Sequence, residues 1–465
     1  MQRPVVIVSN RGPVSFVDDG NGQLTARRGA GGLVSGILPV VEGTGATWVA
    51  AAMSDGDRQA ARQGAVDAEG INTRLLVLDP ETYRLAYDVV DNQTLWFVFH
   101  GLYDLVRSPS FGTEFRQAWQ AYREVNARYA EALADEAPSN SIVLVQDFHL
   151  ALLGRDLAER RPDLVTVHFS HTPFATPELL GVLPDHVATE LLAGMSAFRA
   201  CGFHTQRWAD DFTACCLERL ALTPRTFVSP LPADAAAIRA TAASDACNAA
   251  LADIDAAVAG RLMVGRVDRI ELSKNIVRGF EAYDDLLDRY PEWRGRVVFA
   301  ASVYPSRSGL ADYQRYQAEV DAVVERVNAR WSTDEWTPIV YDTSDDYPRS
   351  VALLRRTDVL LVNPLRDGLN LVAKEGALVN ERDGVLCLSP EAGVWSELGD
   401  VALPVRPCDI AGTADQLDTA LRMSPEARAT HAAALRDLAA RRAPSDWLAD
   451  QLTAAHVVLG KERRA

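Results

Sequence analysis

The chain is 465 residues long, enough for two large domains or three of ordinary size. Acidic side chains outnumber basic ones by 63 to 47, and the formal charge of −16 makes nucleic acid and anionic membranes poor partners. With 48% hydrophobic and 24% charged residues, the composition excludes a disordered chain and is typical of a globular protein with an ample core.

The lack of a recognisable targeting signal and the spacing of the cysteines both favour the cytoplasm. The first apolar run, Val5–Val8, is too short for the hydrophobic region of a signal peptide. No stretch approaches the ~18 consecutive apolar residues of a membrane span. The six cysteines show no C-x-x-C spacing, which argues against a disulfide framework in a chain of this length. We therefore expect a cytoplasmic protein.

Short β-branched runs alternate with amphipathic stretches along nearly the whole chain. The predicted strands are Val5–Val8, Thr47–Ala50, Arg74–Val77, Ile142–Val145, Val165–Phe169, Arg261–Val264, Val297–Ala300, Ile339–Tyr341, Val359–Val362 and Val385–Leu388. The predicted helices include Phe115–Ala134, Arg207–Leu220, the alanine-rich segment Ala235–Ala257, Ile276–Arg289, Asp312–Asn328 and Ser350–Arg355. Strands that are continuously apolar and spaced by helices predict an α/β fold with parallel sheets covered on both faces.

The segment Ser229–Asp234 divides this pattern in two. Its two prolines fix φ and remove backbone donors, as suits a linker. The sequence predicts two Rossmann-like domains, residues 1–232 and 233–444, with a cleft between them and ligands beyond the carboxyl ends of the strands. The last helix, within residues 445–465, is expected to cross back onto the first domain.

The most specific string is the thirteen-residue run Asn363–Glu375, where a strand, a turn and a helix follow one another. Asn370 is a good N-cap residue, and the helix it begins directs free N–H groups at a ligand. Gly368 lets that ligand approach the backbone. Asp367, on the turn, is placed to reach sugar hydroxyls. Glu375, about one turn into the helix, is placed to accept from ribose hydroxyls.

A second string, Gly265–Asn275, leaves the first strand of the second half. Arg269 and Lys274 in it are predicted to converge on a diphosphate, although such a pair by itself is more often surface charge. Asp253–Asp255 lies in a helical stretch and Asp55–Asp57 lies in the other half, so neither Asp-x-Asp is placed for a metal. We therefore expect no metal ion, with two cations and a helix N-terminus in its role.

Two strand ends in the first half carry candidate polar residues. Asp147 and His149 follow the strand Ile142–Val145, and His171 follows the strand Val165–Phe169. His149 and His168 are expected to be structural. The run Gly29–Leu33, which includes Gly31 and Gly32, is either a lid over phosphate or an ordinary turn.

Together these strings resemble the retaining trehalose-6-phosphate synthases, a nucleotide-sugar glucosyltransferase family with the two-domain GT-B fold. The resemblance runs from Val5 to about Trp447 and is most specific at R-D-G-x-N-L-V-A-K-E. The motifs that carry it are V-x-S-N-R (ending at Arg11), G-G-L (Gly31–Leu33), D-x-H-L (Asp147–Leu150), H-x-P-F-x-x-P-E (His171–Glu178), V-x-R…S-K (Val267–Lys274) and R-D-G-x-N-L-V-A-K-E (Arg366–Glu375).

The resemblance assigns roles to individual residues. It implies that Asp147, His171, Arg269, Lys274 and Asp367 form the catalytic set. It implies that His171 and Asp367 contact the donor glucose, Arg269 and Lys274 the diphosphate, and Glu375 the ribose. With the residues proposed from the motifs and from the base hypothesis below, the donor-binding set is Gly31, Gly32, Arg269, Lys274, Asp345, Asp346, Asp367, Gly368, Leu369, Asn370, Leu371 and Glu375. The acceptor-binding set would be Arg11, Tyr87, Trp96 and Arg307, acting mainly on the acceptor's phosphate, and Asp147, acting on the acceptor's hydroxyls.

The resemblance also implies the reaction. Glucose would pass from a nucleoside diphosphate glucose to glucose 6-phosphate, giving α,α-trehalose 6-phosphate, without cofactor or metal. Front-face attack would retain the anomeric configuration, with the departing β-phosphate taking the acceptor's proton. Whether the protein forms a homo-oligomer is left open by the sequence.

The nucleotide base is a separate hypothesis. Asp345 and Asp346 follow the strand Ile339–Tyr341, where the base is expected. A carboxylate there can accept from N1–H and N2–H₂ of guanine, so we expect GDP-glucose in preference to UDP-glucose. Capping of the next helix by Asp346 is at least as good an interpretation.

The sequence departs from the family pattern at four places, one of which is the linker, where Pro-Leu-Pro-Ala-Asp (residues 230–234) replaces Pro-x-Gly-x-Asp. Ala51 stands where a second Trp is usual, Glu271-Leu272 replaces Asp-Tyr, and Asn275 stands where Gly is usual. Ala51 and Asn275 keep open a pseudo-glycosyltransferase that couples a cyclitol nucleotide to an aminocyclitol phosphate. A catalytically silent sugar-phosphate sensor is the other alternative, but Arg269, Lys274, Asp367 and Glu375 together argue against it.

Overall fold

The chain divides into two compact units in a computed structural model: Met1–Leu231 with Pro444–Ala465, and Pro232–Ala443. The structure describes residues 3–18, 24–28, 37–38, 41, 45–64, 66–68 and 70–456. Gly31 and Gly32, predicted to bind the donor, lie outside the described residues. Along the chain, the boundary between the units falls after Leu231, within the proline-containing segment Ser229–Asp234.

Strands and helices alternate in both units. The strands are β1 Val5–Val8, β2 Val14–Asp18, β3 Leu24–Arg28, β4 Thr47–Ala51, β5 Val66–Ala68, β6 Ile71–Leu76, β7 Ile142–Gln146, β8 Val165–Ser170, β9 Ala200–Phe203, β10 Thr226–Val228, β11 Leu262–Ile270, β12 Val297–Pro305, β13 Ile339–Asp342, β14 Val359–Val362, β15 Val385–Leu388 and β16 Leu403–Pro404. The helices are α1 Asp55–Arg62, α2 Pro80–Arg84, α3 Trp96–His100, α4 Thr113–Glu136, α5 Leu153–Arg160, α6 Pro177–Leu180, α7 Asp185–Ser196, α8 Gln206–Leu220, α9 Ala235–Ala242, α10 Asp245–Val258, α11 Ile276–Arg289, α12 Ala311–Trp331, α13 Tyr347–Arg356, α14 Leu371–Val379, α15 Trp395–Leu398, α16 Ile410–Arg422, α17 Pro425–Ala439 and α18 Pro444–His456.

The second unit contains a six-stranded sheet in the order β13-β12-β11-β14-β15-β16. Its ladders are all parallel, and the order is that of a Rossmann sheet, in which ligands bind where the order reverses. That reversal lies between β11 and β14. The strands β12, β14 and β15 are buried along nearly their whole length, which explains why they are largely apolar runs.

The first unit contains an eight-stranded sheet in the order β10-β9-β8-β7-β1-β4-β6-β5. The ladders from β10 to β6 are parallel, and only the edge strand β5 is antiparallel. The order reverses between β1 and β7, so the ends of these two strands open the corresponding crevice. The last helix, α18, packs on this sheet, with Trp447 fully buried against Phe169. The predicted α/β fold with two Rossmann-like domains is confirmed.

Several predicted elements differ from the structure in their bounds. The alanine-rich segment forms two helices, α9 and α10, because Ser244 caps the second by accepting from the Cys247 N–H. The strand predicted at Arg74–Val77 lies earlier, as β6. The strands predicted at Arg261–Val264 and Val297–Ala300 extend to Ile270 and Pro305, because they pair with each other beyond the apolar run.

Sequence analysis missed the hairpin of β2 and β3. Asp57, at the start of α1, holds this hairpin by accepting from the Phe16 N–H at 2.8 Å. Gly56 lies so close to the Phe16 carbonyl that a Cβ there would clash with it. The local sequence does not indicate this hairpin, because β3 is largely polar and the side chain that holds the hairpin comes much later in the chain.

The six cysteines are all free thiols, five of them buried. None of the helices within the described residues combines the length and apolar character that crossing a membrane requires.

Candidate active site

The carboxyl end of β11 carries a buried network of charges. Arg266 is fully buried and lies 3.0 Å from the carboxylate of Asp268, and it donates to the side chain of Asn363 at 2.6 Å. Asp268 in turn lies 3.7 Å from the ammonium of Lys274. Burial raises the pKa of Asp268, and the cations only partly offset it. This network fixes the segment that leads to Lys274.

Lys274 joins the ends of the two central strands. Its ammonium lies 2.6 Å from Asp367 Oδ2, and only 15% of either side chain is exposed. Burial by itself lowers the pKa of Lys274, but the charges of Asp367, Asp268 and Glu271 together raise it, so the group is a cation. Two residues predicted to contact the donor, 93 positions apart, are thus in direct contact.

The turn that carries Asp367 has a tightly determined backbone. The Asp367 N–H donates to the Glu391 carbonyl, and the Gly393 N–H donates to the Asp367 carbonyl. A Cβ on Gly393 would clash with the Gly368 carbonyl, so only glycine fits there. Leu369 and Leu371 flank Asn370, and the Leu369 carbonyl accepts from the Val394 N–H.

Asn370 caps α14 as predicted. It adopts φ 83°, accepts from the Ala373 N–H at 3.2 Å, and donates to Asp367 Oδ2 at 3.2 Å. The helix therefore begins at the crevice between β11 and β14, where its N–H groups favour an anion.

Glu375 lies on the first turns of α14 and is half-buried. Burial raises the pKa of Glu375 to about 7. Within the described part of the chain, its carboxylate makes no hydrogen bond or ion pair, which makes it an available acceptor. The preceding Lys374 is buried and lies 2.6 Å from Glu397, so these neighbours face different surroundings.

Arg269 and Arg307 share one carboxylate. Both guanidinium groups contact Glu271, at 3.2 and 2.9 Å. Arg307 belongs to the second unit, although the resemblance places it on the acceptor. Asn275 adopts φ 58°, a left-handed conformation that glycine and asparagine adopt most easily. The replacement of Gly by Asn275 therefore preserves the backbone and does not favour a different reaction.

Asp345 and Asp346 lie on the loop after β13. Asp346 is the N-cap of α13 and accepts from the Arg349 N–H at 3.0 Å, which is the capping role weighed for it above. Asp345 is exposed, and its charge contributes to the raised pKa of Tyr304 on β12, after the larger effect of burial.

The first unit brings together Asp147 and His171. Asp147 follows β7 in a strained conformation, φ 71°, and its carboxylate accepts from the His171 backbone N–H at 3.2 Å. Its own N–H donates to the Phe169 carbonyl. Burial and then His168 lower the pKa of His171 to about 3, so this imidazole is neutral at physiological pH.

Two glutamines that sequence analysis missed hold His171. Its Nε2 lies 3.1 Å from Gln146 Oε1, and the Gln146 amide donates to Gln451 of α18 at 3.0 Å. Both glutamines are fully buried. The sequence did offer a signal for Gln146, because a polar glutamine directly follows the apolar run Ile142–Val145. Gln451 lies 280 positions beyond His171 and left no local signal.

The other residues expected at the acceptor lie around an unusual helix. Tyr87 is in the π-helix Leu85–Leu95, and its ring stacks on Tyr83 at 5.5 Å and on His149 at 6.0 Å. Trp96 follows this helix, is buried, and stacks on His100 at 4.0 Å. Arg11 is exposed just beyond β1. π-Helical turns occur frequently at functional sites.

Within the described residues we find no cluster that could hold a metal ion. Such a cluster would need at least three histidine, cysteine, aspartate or glutamate side chains close together.

The two Rossmann-like units have the GT-B fold, which this chain shares with solved relatives. The model of glycosyltransferase family 20 matches residues 3–456. The chain therefore belongs to glycosyltransferase family 20, and the resemblance to trehalose-6-phosphate synthases is confirmed.

Three relatives illustrate the similarity. A bifunctional trehalose-6-phosphate synthase/phosphatase of Thermoproteus tenax is 30% identical over 96% of this chain, which spans 62% of the length of that relative. An Escherichia coli structure bound with UDP-2-fluoro glucose is 29% identical, with a TM-score of 0.86 over 98% of this chain and 99% of that one. A UDP-forming α,α-trehalose-phosphate synthase of Burkholderia xenovorans, in complex with glucose-6-phosphate, is 26% identical, with a TM-score of 0.83 over 97% and 99% of the two chains.

Proposed function

We propose that the chain transfers glucose from a nucleoside diphosphate glucose to glucose 6-phosphate, giving α,α-trehalose 6-phosphate with retention at the donor's anomeric carbon. The relatives with bound UDP-2-fluoro glucose and glucose-6-phosphate support both substrates. The cytoplasmic location and the homo-oligomer stay predictions from the sequence.

One observation carries the donor assignment. Lys274, Asp367 and the N-terminus of α14 meet where the strand order of the second unit reverses. A diphosphate there is held by the Lys274 ammonium, the half-exposed Arg269 guanidinium and the N–H groups of the helix. Asp367 is placed for the sugar hydroxyls, and Glu375 for the ribose hydroxyls.

The reaction needs charge stabilisation and no protein nucleophile. The 1-hydroxyl of glucose 6-phosphate attacks the donor's anomeric carbon, the bond from that carbon to the β-phosphate oxygen breaks, and a β-phosphate oxygen takes the hydroxyl proton. The two cations stabilise the negative charge that develops on the leaving diphosphate. Asp147 is proposed to bind the acceptor's hydroxyls, and the neutral His171 to bind the donor glucose.

The acceptor phosphate is assigned to arginine side chains. Arg11 is exposed beyond β1, and the guanidinium of Arg307 lies 2.9 Å from Glu271 in the second unit. In the first unit, the ring of Tyr87 stacks on His149, which follows β7, and the ring of Trp96 stacks on His100.

The preference for GDP-glucose is a finer proposal and rests on Asp345. Because Asp346 already accepts from the Arg349 N–H, Asp345 is the carboxylate left to accept from guanine. The Burkholderia relative is UDP-forming, so UDP-glucose is the competing donor. Turnover with both donors should be compared in the wild type and in Asp345→Ala. A clear preference of the wild type for UDP-glucose ends the GDP proposal.

The function itself is tested by product analysis. The protein is incubated with glucose 6-phosphate and either GDP-glucose or UDP-glucose, with and without EDTA, and the product is identified by NMR. We expect α,α-trehalose 6-phosphate at equal rates with and without the chelator. A different disaccharide, or no transfer from either donor, contradicts the proposal, and inhibition by EDTA contradicts the metal-free mechanism.

A further inference from the structure

Glu271 is a buried carboxylate that holds two arginines with one oxygen. Its side chain is fully buried. Oε1 lies 3.2 Å from Arg269 Nη1, 2.9 Å from Arg307 Nη1 and 3.0 Å from the Ser306 hydroxyl. Burial alone would raise the pKa of Glu271, but the nearby cations lower it to about 2, so the group is ionised.

The two arginines differ in how they are anchored. Arg307 adopts φ 48°, donates to the Tyr313 hydroxyl at 3.1 Å, and is only 14% exposed. The Arg269 side chain is 46% exposed, and within the described residues it forms a single ion pair, the one with Glu271. The half-exposed Arg269 therefore turns one edge to Glu271, whereas Arg307 is held from several sides.

The charge of the cluster also matters. Two arginines next to each other repel, and Glu271 reduces their combined charge from two to one. A guanidinium that donates a charged hydrogen bond to a fixed carboxylate is oriented better than one that donates to water. The second oxygen, Oε2, is buried and has no hydrogen-bond partner in the described chain, so the carboxylate is committed to this cluster.

We propose that Glu271 is a positioning residue that orients Arg269 for the donor diphosphate and Arg307 for the acceptor phosphate at the same time. This inference rests on the proposed function, which assigns these two arginines to two different ligands. Because both guanidinium groups contact the same oxygen of Glu271, a change at one arginine alters the orientation of the other. Binding of the two substrates is therefore coupled within the second unit.

The first test substitutes the carboxylate. Glu271→Gln keeps the shape and removes the charge, Glu271→Asp keeps the charge on a side chain one methylene shorter, and Glu319→Gln on exposed α12 is the matched control. We expect Glu271→Gln to raise KM for both substrates about three- to tenfold and to lower kcat about tenfold. Glu271→Asp is expected to recover part of this loss, and the control to match the wild type.

The second test uses binding, which needs no turnover. Calorimetry measures the affinity of Arg307→Ala for UDP or GDP, whichever the wild type binds more tightly, and of Arg269→Ala for glucose 6-phosphate. Coupling through Glu271 predicts that each variant weakens the ligand of the other arginine at least threefold. These variants keep Glu271 paired with one arginine, so they remain informative if Glu271→Gln does not fold.

The outcomes separate the two proposals. Wild-type protein that does not bind glucose 6-phosphate, or that binds neither UDP nor GDP, defeats the proposed function. If the wild type binds both ligands, the inference is overturned when each arginine variant affects only its own ligand. It is equally overturned when Glu271→Gln folds and leaves both KM values unchanged.

Discussion

The ammonium of Lys274 lies 2.6 Å from Asp367 Oδ2, joining the turns that follow β11 and β14. Each residue was predicted to contact the sugar nucleotide, one at its diphosphate and the other at its glucose. Their contact fixes the spacing between these two subsites before any ligand binds.

The first prediction concerns this pair. Lys274→Ala should lower kcat/KM by about a hundredfold, because it removes a cation from the leaving group and the ammonium that pairs with the half-buried Asp367. Asp367→Asn should cost a similar amount. Since the residues act as a unit, the double variant should lose much less than the product of the two single losses. Steady-state kinetics of the four proteins checks this, and strictly multiplicative losses would show that the two residues act independently.

Lysine is rare in this chain, at positions 274, 374 and 461 only, whereas arginine supplies the other 44 basic residues. Lysine methylation followed by mass spectrometry therefore reports on Lys274 almost individually. UDP should protect Lys274 and leave Lys461 unaffected.

The pKa of Glu375, raised by burial to about 7, predicts a pH dependence. Between pH ~4.5 and ~7 the unfolded chain has lost this proton and the folded chain still holds it, so the free energy of unfolding falls as the pH rises through this window. Glu375→Gln removes this effect, and its stability relative to the wild type should increase from pH 5 to pH 8 in urea unfolding. Glu319→Gln is the control.

Donor binding should show the opposite trend with pH. The ionised Glu375 accepts from both ribose hydroxyls, whereas the protonated form accepts less well. The donor KM should therefore fall as the pH rises through about 7 in the wild type and stay flat in Glu375→Gln. An identical pH profile in both proteins would remove Glu375 from the ribose site.

Much of the fold and of the donor site was predictable because its signals are local. The strands β7, β8, β14 and β15 are apolar runs buried on both faces, and the string from Arg366 to Glu375 keeps strand end, turn and cap in sequence order. The cap at Asn370 follows from side-chain chemistry alone.

The remaining parts depend on residues that are far apart in the chain. Glu271 was visible as a departure from the family pattern, but its second arginine comes 36 positions later. Gly393 supports the Gly368 turn through a backbone contact that no motif records. The hairpin of β2 and β3 depends on Asp57, 41 positions from Phe16.

The Gly368 turn gives a further prediction. Gly393→Ala places a methyl group against the Gly368 carbonyl and must displace the backbone that carries Asp367. We expect weaker UDP binding, by about tenfold, and a lower melting temperature. Gly112→Ala, where a Cβ has open space, is the control and should match the wild type. Unchanged UDP affinity in Gly393→Ala would show that the turn does not hold the donor.

The final helix gives the last prediction. Gln451→Leu leaves the buried Gln146 amide without its acceptor, at a cost of about 1–3 kcal/mol, and releases the side chain that orients His171. Turnover should fall about tenfold, with a smaller change in KM. Thr453→Ala, exposed on the same helix, should retain full activity. If Gln451→Leu is destabilised but keeps full kcat, α18 supports only the fold.

The central claim is that protein cations and a helix N-terminus neutralise the donor's diphosphate. A crystal structure of the protein with UDP or GDP and glucose 6-phosphate tests it most directly. We predict both phosphates within hydrogen-bond distance of Arg269 and Lys274 and next to the Gly368 turn. A diphosphate held by a metal ion, or located away from this turn, would contradict it.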